Sequence, residues 1–248
     1  MIEDEMVRIL LRGGCVAVTG AGISVPSGIP PFRGPGGLWE RYDPEVYAHI
    51  SSFLTMPERF WEMYHQRLSI CATAKPNPAH TALAEMETAG IVKGVITQNI
   101  DGLHQAAGSR HVIELHGNLR NVVCLRCGSR YPTKERVRGE GVPRCDCAAP
   151  LKPDVVLFGE PLSHDAISRA IGEVESASLV LVVGTSCVVW PAAGLPMRAA
   201  ELGVPVAEVN PCPSLSYARF KISQPAEDAL PLLVEKVMDR RGQNLFTT

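Results

Sequence analysis

Apolar positions along the chain fall into blocks of two periods. Cys15–Thr19 and Leu179–Val183 are compact apolar runs of strand length, and Ile91–Thr97, His111–Leu115 and Val204–Val209 are further short segments of strand character; such segments suit buried parallel strands. Between them the spacing turns helical. It predicts helices over residues 3–11, Pro57 to about Ala74, and Pro78–Ala89 closed by Gly90. Three more follow: one capped by Ser163 with the stripe Ile167, Ala170, Ile171 and Val174, one over residues 191–201, and a closing helix over 226–239. Strands alternating with amphipathic helices predict an α/β fold with a doubly wound, parallel, Rossmann-like sheet.

Two stretches depart from that alternation. Residues 120–152 carry cysteines and turn residues with little periodicity and are expected to form a small inserted module. A second, helical insertion is expected at about 36–76. The main domain would then comprise residues 1–119 and 153–248.

Ligands on such a sheet bind beyond the carboxyl ends of the strands. That rule selects the loops after Thr19, Thr97, Leu115, Val183 and Val209, and every unusual polar cluster lies in one of them. The first reads Gly20-Ala21-Gly22-Ile23-Ser24, and glycine there lets backbone N–H groups approach a diphosphate at a helix start. A dehydrogenase fingerprint would need a third glycine where Val25 stands. Its ribose-binding acid would fall near Glu40, which follows Gly-Leu-Trp instead of ending an apolar strand. The loop from Gly20 to Gly37, with one helical turn expected in it, is long for a plain connector and contains Phe32 and Arg33, with Trp39 just beyond. The second loop holds Gln98, Asn99, Ile100 and Asp101, suited to gripping ribose hydroxyls or a carboxamide. The third places His116 where proton transfer near neutral pH is possible, although a structural histidine fits the same position. His49, His80, His104 and His111 read as structural or exposed. The last two loops supply Gly184-Thr185-Ser186 and Asn210.

Charge and cysteine usage narrow the class. The chain has 248 residues and a net charge of −2, which gives no general pull toward nucleic acid or anionic membrane. No apolar run approaches membrane-spanning length. The start, Met-Ile-Glu-Asp-Glu, is acidic where a secretory signal would be basic; a cytoplasmic protein and a monomer are expected. Of eight cysteines, Cys15, Cys71, Cys187 and Cys212 are scattered. Cys124-x-x-Cys127 and Cys145-x-Cys147 lie 17 residues apart, close to a zinc-ribbon pattern, and predict one structural zinc per chain. The second pair is one residue tighter than usual. Eight Lys/Arg against three Asp/Glu between Arg120 and Lys152 read as a solvated basic face, and direct nucleic-acid contact is not expected.

Taken in order, Gly-Ala-Gly-Ile-Ser, Ser-Gly-Ile-Pro-Pro-Phe-Arg, Thr-Gln-Asn-Ile-Asp-Gly-Leu-His, Leu-His-Gly, Phe158-Gly159-Glu160 and Gly184-Thr185-Ser186 resemble the sirtuin family over roughly residues 10–235. The resemblance implies an NAD-dependent protein-lysine deacylase that consumes NAD as a co-substrate. Gly20, Ala21, Gly22 and Ser24 would hold the diphosphate, with Phe32 and Arg33 closing over it. Gln98, Asn99, Ile100 and Asp101 would position the nicotinamide and its ribose, and Gly184, Thr185, Ser186, Asn210 and Ala226 the adenosine side. The acyl oxygen of a modified lysine would attack the ribose C1′ and expel nicotinamide, with His116 as general base on the ribose hydroxyl. Free lysine and O-acyl-ADP-ribose would follow. An acylated protein or peptide would lie as an added strand between Val156, Phe158 and Gly159 on one side and Val188–Val189 on the other.

Acyl preference rests on the helix that begins at Pro57. Phe60, Tyr64, Arg67 and Cys71 share one stripe, so Arg67 interrupts a face expected to be buried. A desolvated guanidinium needs an anion. Either an internal carboxylate supplies it, or Tyr64 and Arg67 bind the carboxylate of an acidic acyl chain. The Tyr-x-x-Arg spacing resembles the desuccinylase and demalonylase subgroup (class III), which implies removal of succinyl and malonyl as well as acetyl groups.

Overall fold

The computed structural model describes residues 2–245. Six strands, β1 (Cys15–Thr19), β2 (Val92–Thr97), β3 (Val112–Glu114), β7 (Val180–Val183), β8 (Val206–Val209) and β9 (Phe220–Ile222), form a wholly parallel sheet in the order β3-β2-β1-β7-β8-β9. Residues of β1 alternate between its two faces. Cys15 and Ala17 join Met6, Leu10, Leu83, Leu230 and Leu233 in one core, while Val16 and Val18 join Ala170, Val174, Leu195 and Ala199 in the other. A strand buried on both faces must be apolar throughout, which is why β1 and β7 read as unbroken runs. The doubly wound α/β expectation is met.

The order reverses direction at β1, whose neighbours β2 and β7 belong to the two halves of the chain. A crevice opens at such a switch point, because the loops leaving the two adjacent strands diverge.

A second, antiparallel sheet has the order β5-β4-β6, built from β4 (Gly117–Cys124), β5 (Arg130–Pro132) and β6 (Leu151–Val155). Helices Pro44–Tyr47, Ile50–Thr55 and Pro57–Thr73 stand beside it. These units share a third core of Phe53, Phe60, Trp61, Tyr64, Leu119, Val122, Leu151 and Val155. The indole of Trp61 donates to the Leu151 carbonyl at 2.9 Å, tying helix to sheet.

Several boundaries differ from the expected ones. The helix expected over 191–201 begins only at Gly194, and the closing helix runs on from Ala226 to Leu245. Strand β9 is an addition to the five expected in the main sheet. Among the described residues no helix is long and apolar enough to cross a membrane.

Candidate active site and metal centre

The loops after β1 and β7 touch at the switch point. The Gly22 N–H donates to the Gly184 carbonyl at 2.8 Å. A Cβ on Gly20 would stand 2.6 Å from Thr185 Cβ, and one on Gly22 would stand 2.6 Å from the Gly184 oxygen. Both positions must be glycine for the loops to approach. The chain then forms a tight 3-10 turn from Ala21 to Ser27.

A chain of hydrogen bonds sets the polar residues beneath this crevice. His104 Nε2 meets Thr19 Oγ1 at 2.9 Å, and Thr19 Oγ1 donates to Thr97 Oγ1 at 2.9 Å. Thr97 Oγ1 also accepts the Asn99 N–H at 3.0 Å. The Asn99 amide donates to the Gly20 carbonyl at 3.1 Å and to Ser24 Oγ at 3.0 Å, and Ser24 donates to Asp101 Oδ2 at 2.8 Å. Both of these anchors are acceptors, so the Nδ2 end of the Asn99 amide is assigned. Gln98 Nε2 donates to Thr185 Oγ1 at 3.0 Å, and Asn210 Nδ2 to the Thr185 carbonyl at 3.3 Å. Gln98 thereby bridges the two halves of the sheet.

His116 sits in the two-residue turn between β3 and β4. Its Nδ1 lies 3.0 Å from the Gln98 carbonyl. A carbonyl can only accept, so Nδ1 carries the hydrogen and the neutral ring presents a free lone pair at Nε2. Burial lowers the His116 pKa, with the Gln98 hydrogen bond working in the opposite direction. The base form is therefore favoured.

These residues enclose a cavity of about 700 Å³. Gly20, Ala21, Gly22, Phe32, Arg33, Gln98, Asn99, Ile100, His116, Gly184, Thr185, Ser186 and Asn210 line it. Tyr64, Arg67, Val156, Phe158 and Gly159 line it from the other side, with Val188 and Val189. Ser24 and Asp101 sit behind this wall and hold Asn99. Ala226 is not part of the cavity lining; its methyl packs in the core beneath the sheet. Trp39, Met63, Glu160, Ile167 and Trp190 also line the cavity without having been singled out as site residues. The unusual Gly20–Gly37 loop pointed toward Trp39, whereas Ile167 was read as part of an ordinary helix stripe.

Tyr64 stacks on Phe60 with ring centroids 4.4 Å apart, which orients its hydroxyl end. Burial pushes the Tyr64 phenol up, so it stays a neutral donor. Arg67 is 5% exposed, its guanidinium lies 4.3 Å from the Phe32 ring centroid, and its buried Nε has no hydrogen-bond partner. Among the described residues no carboxylate forms an ion pair with it. The internal ion pair left open by the sequence is not found.

Away from the cavity, the Sγ atoms of Cys124, Cys127, Cys145 and Cys147 all lie within 4.8 Å of one another, with Cys124–Cys147 and Cys127–Cys145 both at 3.5 Å. Zinc–sulfur bonds of about 2.3 Å in a tetrahedron require sulfur separations of about 3.8 Å, so the four thiols fit one zinc ion. The short second knuckle closes through Ala148, whose φ is +69° and whose N–H donates to the Cys145 carbonyl at 2.8 Å.

Comparison with known proteins gives this geometry a family. The Sir2 family model matches residues 20–191. An NAD-dependent protein deacetylase of Pyrobaculum aerophilum is 46% identical over 240 residues, covering 94% of each chain. An NAD-dependent protein deacylase of Archaeoglobus fulgidus is 44% identical over 240 residues, covering 95% of this chain and 98% of the relative. A solved Sir2 homologue in complex with NAD superposes with a TM-score of 0.90 at 40% identity, covering 97% of this chain and 95% of that one. A Sir2 structure holding a deacetylated peptide and 3′-O-acetyl ADP-ribose superposes with a TM-score of 0.89 at 39% identity, covering 95% and 98%. The family match spans the loops that build the cavity except the one bearing Asn210, and the relatives extend over almost the whole sequence: the chain belongs to the Sir2 family.

Proposed function

We propose that this chain removes acyl groups from protein lysines at the expense of NAD, releasing nicotinamide and O-acyl-ADP-ribose. One observation carries the reading: His116, its Nδ1 occupied by the Gln98 carbonyl, lines the same cavity as the two glycine loops and the Val156–Gly159 segment. Bound NAD supplies an electrophilic ribose C1′ with nicotinamide as the leaving group. Gly20, Gly22 and Gly184 leave room for a diphosphate beside the backbone. Gln98 and Asn99 offer fixed amides to the carboxamide and ribose, with Asp101 and Ser24 holding Asn99 in place. His116 Nε2 takes the proton of a ribose hydroxyl as general base. The acylated peptide is the partner, seated beside Val156, Phe158 and Gly159. The relatives' names and the peptide-bearing neighbour support this reading.

The same cavity favours acidic acyl groups. Arg67 is buried, lines the cavity beside Tyr64 and, among the described residues, forms no ion pair with a carboxylate. A succinyl or malonyl carboxylate would supply one through charge-assisted hydrogen bonds. Incubation with NAD and acetyl-, malonyl- and succinyl-lysine peptides, followed by mass spectrometry, tests both levels. NAD-dependent loss of acyl groups with formation of O-acyl-ADP-ribose is expected. Acyl peptides left intact at full NAD occupancy would refute the activity.

The four thiols would hold one structural zinc, which ties the ends of the β4–β5 and β6 segments without entering the chemistry.

A further inference from the structure

Next to the cavity, a buried lysine pairs with a partly exposed glutamate. Lys152, in β6, is 4% exposed. Its ammonium donates to the Val155 carbonyl at 2.6 Å and to Glu160 Oε2 at 2.8 Å. The same carboxylate oxygen accepts the Leu157 N–H at 2.9 Å, and Glu160 lines the cavity. An ammonium at this depth has lost its hydration, and an apolar side chain of similar length would serve packing equally well. The pair is explained by what it holds.

Between its two ends runs Val156–Gly159, the segment that lines the cavity. The other ties on this segment are backbone bonds. The Val156 N–H donates to the His116 carbonyl at 2.9 Å, the Phe158 N–H to the Ala48 carbonyl at 3.0 Å, and the Ile50 N–H to the Phe158 carbonyl at 3.0 Å. Gly159 then turns with φ +83°. Past that turn, where the chain leaves the cavity, the side-chain tie is Glu160 to Lys152.

We propose that Lys152 is a positioning residue for the acyl-lysine substrate: through Glu160 it fixes the course of Val156–Gly159, the edge on which the peptide is seated. The inference deepens the proposed deacylase activity and rests on it. Neither residue needs to touch the NAD loops, so loss of the clamp acts on peptide binding and leaves NAD binding alone.

Lys152→Met by itself strands the Glu160 carboxylate and puts the fold at risk. The decisive variant is therefore Lys152→Met combined with Glu160→Gln, which removes the clamp without changing net charge. Thermal midpoint, KM for an acetyl-lysine peptide at saturating NAD, and KM for NAD are measured. The expected result is a midpoint close to wild type, a peptide KM raised about tenfold and an NAD KM changed less than about twofold. Glu160→Gln alone keeps an oxygen for Lys152 and Leu157, and its peptide KM should fall between wild type and the double variant. A folded double variant with wild-type peptide KM overturns the inference, as does an equal rise in both KM values. A double variant that cannot fold makes the pair a folding element and also overturns it. Wild-type protein inactive on every acyl-lysine peptide overturns the activity itself, and the inference with it.

Discussion

At His116, a hydrogen bond decides which nitrogen can do chemistry. Nδ1–H is spent on the Gln98 carbonyl, leaving the lone pair of Nε2 free for the general-base role proposed above. Replacing His116 with Ala should lower deacylation by about 10²- to 10⁴-fold, while NAD affinity, read by calorimetry, stays near wild type because the glycine loops are untouched. A folded His116→Ala protein with near-normal turnover would remove the assignment. Burial depresses the His116 pKa, so its base form persists below the ordinary histidine value of about 6.5. The acidic limb of kcat/KM should accordingly lie below pH 6.5, and a limb above it would show that another group controls the rate. Placements of this kind were legible because the relevant residues stand at strand ends, where a buried sheet tolerates polar groups. Lys152 was not: it entered only a count of basic residues. A lysine inside Leu151-Lys152-Pro153-Asp154-Val155, flanked by buried apolar neighbours, was the signal that could have found it.

Among the elements, the parallel strands were the easiest to read, since burial on both faces demands continuous apolar runs. The antiparallel strands of the second sheet were hidden. In β4 the buried residues Leu119, Val122 and Cys124 do not keep a strict period of two, because the pairing with β6 shifts register between Gly117 and Val122. Strand β9 has three residues, too few to show any period. The cysteine spacing was informative, by contrast, because four thiols converging on one point have little other use in a chain of this kind. About one zinc per chain is expected from metal analysis of protein purified without added zinc. Cys124→Ala should release the metal and lower the thermal midpoint; metal-free protein with unchanged stability would count against a structural ion. A second element-level expectation concerns His80 and His104, where the helix Pro78–Thr88 meets the short helix Leu103–Ala106, whose His104 bonds Thr19 of β1. Their rings lie 4.9 Å apart, and burial holds their pKa values down at about 4 and about 3. The unfolded chain takes up protons near pH 6.5 and the folded chain does not, so stability is full above pH 6.5 and falls as pH drops toward 4 and below. Thermal midpoints between pH 7 and 4 should decline, and the decline should be shallower in a folded His80→Asn variant.

The Tyr64–Arg67 end of the cavity belongs to the whole molecule, since three parts of the chain far apart in sequence converge there. The helix Pro57–Thr73 brings Tyr64 and Arg67, the loop after β1 brings Phe32, and the segment after β6 brings Phe158. Helical spacing alone placed Arg67 on a buried face, but only the assembled fold reveals its surroundings. Phe32 covers the guanidinium, and among the described residues no carboxylate pairs with it. Glu160, the nearby acid that lines the same cavity, is already neutralised by Lys152. The local charge balance is therefore positive, which suits an acyl chain ending in a carboxylate. Hydrogen bonds to charged groups contribute roughly 1.5–3 kcal/mol, equivalent to about ten- to hundredfold in kcat/KM. Arg67→Met preserves much of the side-chain volume and removes the charge. It should lower kcat/KM for succinyl-lysine by about that factor and leave acetyl-lysine within about threefold, because an acetyl group has no carboxylate to lose. Tyr64→Phe should show the same selectivity to a smaller extent, since it deletes one neutral donor. Equal losses on the two substrates in Arg67→Met, or a wild-type enzyme indifferent to succinyl-lysine, would assign Arg67 to holding Phe32 in place and not to recognising the acyl group.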